Sequence, residues 1–178
     1  EKAPFYEIAF FGGSFTAVEK ELQHSLLQAV APFCDEKNKF HFKGIRFSTR
    51  PDCISEEILQ ELALYPIVHM ELGAQSMDNA VLQANNRGHT AADVAVASRL
   101  IREHGYQLTL QMMTGLYKDT HVGALKTAKK LVALQPNSVR IYPTLVLENT
   151  QLAKLYKAGE YSPQTLEQAV ETGAELLL

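Results

Sequence analysis

Five short runs rich in Ile, Val, Phe, Tyr and Leu recur along the chain, with helical patterns between them. The runs are YEIAFFG (6–12), KGIRFST (43–49), IVHMELGA (67–74), QLTLQMM (107–113) and SVRIYPTL (138–145). Nearly continuous apolar runs of this length are those of strands buried on both faces of a parallel sheet. The intervening helices carry their own start and stop marks. Thr16-x-x-Glu19 and Thr90-x-x-Asp93 read as capping boxes, and Ser55 as a cap followed by Glu56 and Glu57. Gly105 closes the third of these helices. Ser162 followed by Pro163 opens a last one. Strand and helix alternating at this rhythm imply parallel pairing through right-handed crossovers. A barrel, complete or partial, and an open doubly wound sheet both satisfy the pattern. In either, ligands bind at the carboxyl ends of the strands.

Composition narrows the rest. The chain has 178 residues, 46% of them hydrophobic, which is enough for one domain with a real core. Its net charge of −3 and pI near 6.1 argue against a phosphate-seeking surface. No apolar run nears the ~20 residues of a membrane span. Cys34 and Cys53 are too far apart for a metal knuckle or redox pair, so a reducing, cytoplasmic setting is expected. Both ends read as cut: Glu1 to Pro4 lead straight into a strand, and the last helix stops on three leucines without a cap.

The strand ends are where polar groups gather. They read Gly12-Gly13-Ser14, Ser48-Thr49-Arg50-Pro51-Asp52, Glu71-Leu72-Gly73-Ala74-Gln75-Ser76, Gln111-Met112-Met113-Thr114-Gly115 and Arg140-Ile141-Tyr142-Pro143-Thr144. Glu71 and Gln111 interrupt apolar runs, and buried charges or amides are tolerated mainly where they meet a ligand or one another. Taken alone, Gly12-Gly13 favours a tight turn, since neither nucleotide-phosphate motif is present. Thr16 is expected to cap a helix and His89 to shape a turn. Met112-Met113 is expected to pack, and Lys126, Lys129 and Lys130 to face solvent. No HxH, HExxH or GxSxG spacing occurs, which leaves no protein-only metal site and no nucleophile elbow. Cys34 is expected to act as a small hydrophobe at a helix end.

As an ordered set, FFGGSFT, GIRFSTRPD, ELGAQSMDNAVLQANNRGHT, LQMMTGL and VRIYPTLVLENTQLAKLY resemble the core of radical S-adenosylmethionine (SAM) proteins. The nearest branches are the Elongator catalytic-subunit type and the oxygen-independent coproporphyrinogen oxidase type. The resemblance implies an α/β fold, a partial (β/α)6 TIM-type barrel of which strands two to six are present. It makes 1–178 a radical SAM core lacking its first strand and cluster loop. It also implies two cofactors, SAM and a [4Fe-4S] cluster.

By resemblance, Gly12, Gly13 and Ser14 hold the amino end of SAM, and Arg87 pairs with its carboxylate. Gln75 and Ser48 stand at the ribose positions, Gln111 near the nucleoside, and Met113 to Leu116, with Gly115, line the adenine. The family's CxxxCxxC loop is absent from this chain, so cluster ligands are expected outside it. GLYKDT replaces the family's usual Gly-Leu-Pro-Gly-Asp-Thr. The activity implied is reductive cleavage of SAM, with a reductant such as flavodoxin and a substrate that is either tRNA or a tetrapyrrole. No catalytic acid or base stands out; Glu71 and Tyr142, facing the barrel interior, are candidates for substrate-side roles. The competing reading is a non-radical (β/α) domain that binds a nucleotide or small metabolite.

Overall fold

The computed structural model describes residues 6–35, 37 and 42–177. Five strands form one sheet in sequence order: β1 (Glu7–Phe10), β2 (Gly44–Thr49), β3 (Ile67–Gln75), β4 (Gln107–Thr114) and β5 (Ser138–Pro143). Every neighbouring pair is parallel. The crossovers carry α1 (Lys20–Val30), α2 (Glu56–Leu62), α3 (Asn79–Ala84), α4 (Ala91–Glu103) and α5 (His121–Ala133). Beyond β5 come α6 (Gln151–Lys157) and α7 (Leu166–Leu177). Strand order that follows chain order all the way across is the topology of a barrel wall. A doubly wound sheet would reverse direction at a switch point.

One face of each strand is apolar. Ile45, Phe47, Met70, Leu72, Leu108, Leu110 and Met112 are fully buried, packed with Leu27, Leu59, Val94, Ile101 and Leu131 of the helices. The other face carries polar side chains that converge across the sheet. Glu7 of β1 reaches His69 of β3, Ser48 of β2 meets Gln111 of β4, and Glu71 of β3 meets Arg140 of β5. Strands two apart are separated by about 9.5 Å, so such contacts belong to the inside of a curled wall. The partial barrel expected from sequence is the fold observed.

The helix caps at Ser55 and Thr90 hold as read. Ser55 accepts from Ile58 N–H, and Thr90 and Asp93 form a full capping box. Thr16 is a correction. It lies in a 3-10 turn (Phe15–Ala17), buried, with its hydroxyl 2.6 Å from that of Thr49. α1 begins four residues later, with Glu19 at its N-cap and no side-chain cap. The tertiary bond to the β2 end outcompetes the local cap. Ser162 is a second correction: α7 starts at Leu166 behind a reciprocal pair, Thr165 N–H to Gln168 and Gln168 N–H to Thr165. Cys34 is half-buried at the end of the 3-10 turn after α1 and packs against the core, which raises its thiol pKa. Residues 1–5 and 178, where the sequence reads as cut, lie outside the described residues.

Candidate functional site

A cavity of about 380 Å³ opens at the carboxyl ends of the strands. Gly13, Ser14, Ser48, Thr49, Arg50, Gly73, Gln75, Asn86, Arg87 and Gln111 line it. The first strand reaches it through Gly12 and Gly13. Gly12 has φ +109°, which a side chain resists, and nothing stands within 4 Å of where its Cβ or that of Gly13 would be. The turn needs glycine for its backbone, and the space beside it is open.

Gln75 is placed by a defect in the sheet. The β3–β4 register shifts between Leu72 and Gln75, and Gln75 itself has φ +64°. A bulge of this kind re-aims a side chain at a strand end. Gly73 makes room for it: a Cβ there would stand 2.8 Å from Gln75 Nε2. Gln75 is 8% exposed, yet its Oε1 is buried without a hydrogen-bond partner. An orphaned buried acceptor costs roughly 1–3 kcal/mol, so the site is incomplete without a donor.

Arg87 is carried by the loop that ends α3. Asn86 takes the left-handed conformation at φ +51°, its N–H bonds Gln83 O, and Arg87 N–H bonds Leu82 O. That is a Schellman closure with Asn in place of the usual Gly. His89 ties the same loop to β3, with its ring nitrogens 3.1 Å from Ala74 O and 3.3 Å from Arg87 O. Asn85 ties it to the next loop through Tyr117 O at 2.9 Å. The guanidinium so held lacks company. Its Nε is buried without a partner, and among the described residues no carboxylate pairs with it. Burial, and then the nearby Arg50 charge, hold its pKa below the usual arginine range. Arg50 itself is occupied by a forked pair with Asp52. Burial pushes the Asp52 carboxyl up, but the Arg50 bond and charge outweigh it and leave its pKa lowered.

Beneath the cavity lies a closed polar layer. Glu71 is fully buried; its Oε1 takes Arg46 and, at 3.5 Å, Arg140, while its Oε2 accepts from Gln111 Nε2 at 2.7 Å. Arg46 also lies 3.6 Å from Glu7, and His69 shares that carboxylate. His69 Nε2 meets the Thr109 hydroxyl at 2.6 Å, which meets Ser138 at 2.6 Å. Tyr142 stands above, 41% exposed, with its hydroxyl 3.5 Å from Arg140.

The structure thus brings Gly13, Ser14, Ser48, Gln75, Arg87 and Gln111 together in one cavity, with Gly12 adjoining. Met113, half-buried, lies two residues beyond Gln111 on β4. Gly115 lines a different cavity, of about 720 Å³, between the β4–α5 loop and the segment leading into α7. Its carbonyl accepts from the Tyr161 hydroxyl at 2.7 Å. Arg50, Thr49, Gly73 and Asn86 line the site without having been singled out as site residues. The Arg50-Pro51-Asp52 and Asn85-Asn86 steps at the strand and helix ends were the available clue.

Comparison with known proteins agrees with the fold. A family described as the Radical SAM superfamily matches residues 1–131, and one described as the Radical_SAM C-terminal domain matches residues 136–178. A tRNA uridine(34) acetyltransferase of Methanocaldococcus infernus is 28% identical over 182 residues, covering 93% of this chain and 34% of that protein. The solved structure of the M. infernus Elp3 with an N-terminal deletion superposes with a TM-score of 0.85 at 27% identity, over 96% of this chain and 44% of that one. The coproporphyrinogen III oxidase HemN of Escherichia coli shares the fold, with a TM-score of 0.69 at 19% identity, over 95% and 38%. The chain spans about a third of the length of the curated relative it matches.

Proposed function

Because the chain belongs to the radical SAM superfamily, we propose that the strand-end cavity binds S-adenosylmethionine. The observation that carries this is a pair of unmet groups in one cavity: the Gln75 amide oxygen and the Arg87 guanidinium. One asks for a donor and the other for an anion, and SAM offers hydroxyls and a carboxylate. Carbonyls of the Gly12–Gly13 turn, with Ser14, take the ammonium. Arg87 takes the carboxylate through a charge-assisted fork. Gln75, Ser48 and Gln111 meet the ribose. Met113, two residues beyond Gln111 on β4, is assigned to the base; Gly115 lines the neighbouring cavity, where its carbonyl already accepts from Tyr161. Bound in the strand-end cavity, and given one electron by a reduced cluster held by other residues, SAM would lose methionine and supply hydrogen-atom abstraction through its 5′ carbon.

For an iron–sulfur cluster the described residues do not fit. Among them no three His, Cys, Asp or Glu side chains gather as a metal site, and Cys34 and Cys53 are separate free thiols. A cluster working with this cavity takes its ligands from elsewhere. Between the two substrate classes, a transfer RNA is favoured by the relative named as a tRNA uridine(34) acetyltransferase, whereas the likeness to HemN extends to fold alone.

Equilibrium dialysis against SAM and decarboxylated SAM tests the cavity. The chain binds SAM more tightly by about tenfold or more, and Arg87→Gln abolishes the preference. Equal binding of both ligands by the unaltered chain contradicts the proposal.

A further inference from the structure

We infer that Glu71 is a positioning residue that sets which face of the Gln111 amide the ligand meets. The inference rests on the SAM reading of the cavity. Glu71 is fully buried, and Arg46 and Arg140 both address its Oε1. A carboxylate held by two guanidiniums at one oxygen accepts hydrogen bonds and donates none. Its Oε2 must therefore face the nitrogen of Gln111, 2.7 Å away. The same nitrogen reaches Ser48 Oγ at 3.4 Å. With its N–H groups so engaged, Gln111 is left with its carbonyl oxygen, which has no partner among the described residues, on a side chain that lines the cavity. Gln75 Oε1 stands unpartnered in the same space. The cavity thus offers two amide carbonyls, both acceptors, which select a ligand with two hydroxyl donors. A vicinal diol meets that demand.

Glu71→Gln reverses the arrangement. Arg46 and Arg140 hold the new amide by its oxygen, so its NH₂ faces Gln111. Gln111 turns over to accept from it and presents N–H to the ligand. The probes are 5′-methylthioadenosine and its 2′-fluoro and 3′-fluoro analogues, titrated calorimetrically. Fluorine keeps the size of a hydroxyl but cannot donate. The unaltered chain binds each fluoro analogue about tenfold more weakly than the parent. Glu71→Gln shrinks one of the two penalties to less than about threefold, with the other retained. A purely structural role for Glu71 would weaken all three ligands alike and leave the ratios unchanged, which overturns the inference.

Should Glu71→Gln fail to fold, Gln111→Met removes the same acceptor without touching the ion pairs, and the same penalty disappears. Retention of both penalties in Gln111→Met overturns the inference equally. Failure of the unaltered chain to bind S-adenosylmethionine in the same calorimeter sinks the SAM reading itself. Binding without any fluoro penalty overturns the diol contacts given to Gln75 and Gln111, and with them the role of Glu71, while SAM binding in the cavity stands.

Discussion

At Gln75 a bulged strand, a left-handed backbone and an orphaned amide oxygen coincide, and twelve positions on, Arg87 holds a guanidinium with a buried, unpaired Nε. These features cost stability unless a ligand completes them. Arg87→Ala is expected to weaken SAM binding by about 2 kcal/mol, the loss of a charge-assisted fork, as read by calorimetry. Gly73→Ala tests the same pocket from behind. Its added Cβ would crowd the movable end of Gln75 and not the backbone. Affinity should therefore fall by about tenfold while the melting temperature holds within a few degrees. At this scale the sequence was legible in placement: the motif order put Gln75 and Arg87 at one site, and both line the same cavity. It was silent on Asn86 and Arg50, whose places depend on a helix closure and a local ion pair that become visible only in three dimensions.

Helix termini decide how well those residues are held. The Thr90–Asp93 box starts α4 directly after the Arg87 loop, and Ala91 N–H is anchored on Asn79 Oδ1 at 2.9 Å. Thr90→Ala should cost about 1 kcal/mol in urea denaturation. An unchanged midpoint would mean that the loop is held by His89 and Asn85 alone. The strands were legible to within a few residues because each is a dense apolar run. α3 and α6 were not, because 6 and 7 residues span less than two turns, too short for an apolar stripe to repeat; α2, equally short, was legible through its Ser55 cap and acidic first turn. Thr16 shows the reverse failure: a sound local cap pattern overridden by a buried bond to Thr49 from another element.

Across the whole molecule, the polar layer lining the concave face links all five strands. Its histidine is His69, faced by Glu7, Arg46 and Arg140. Burial, aided by the Arg46 charge and opposed by Glu7, holds its pKa below the ordinary 6.5. The unfolded chain therefore takes up a proton at this residue before the folded chain does. The contribution is fully present above pH 6.5 and is lost as pH falls from there through the depressed folded value. His69→Gln should flatten the pH dependence of stability below pH 6.5, and an unaltered slope would assign that dependence to other groups. Among the described residues no helix is long and apolar enough to cross a membrane. The curled sheet was foreseeable from strand–helix rhythm only as one of two architectures. What selects the barrel wall is the meeting of polar side chains from strands two apart, and pairing between strands leaves no mark on local periodicity.

The most direct measurement is a calorimetric titration of the chain with S-adenosylmethionine, repeated on Gln75→Leu. A site completed by SAM at Gln75 predicts one equivalent bound, with affinity at least about tenfold weaker in the variant. No binding by the unaltered chain, or the same affinity in both, would contradict it.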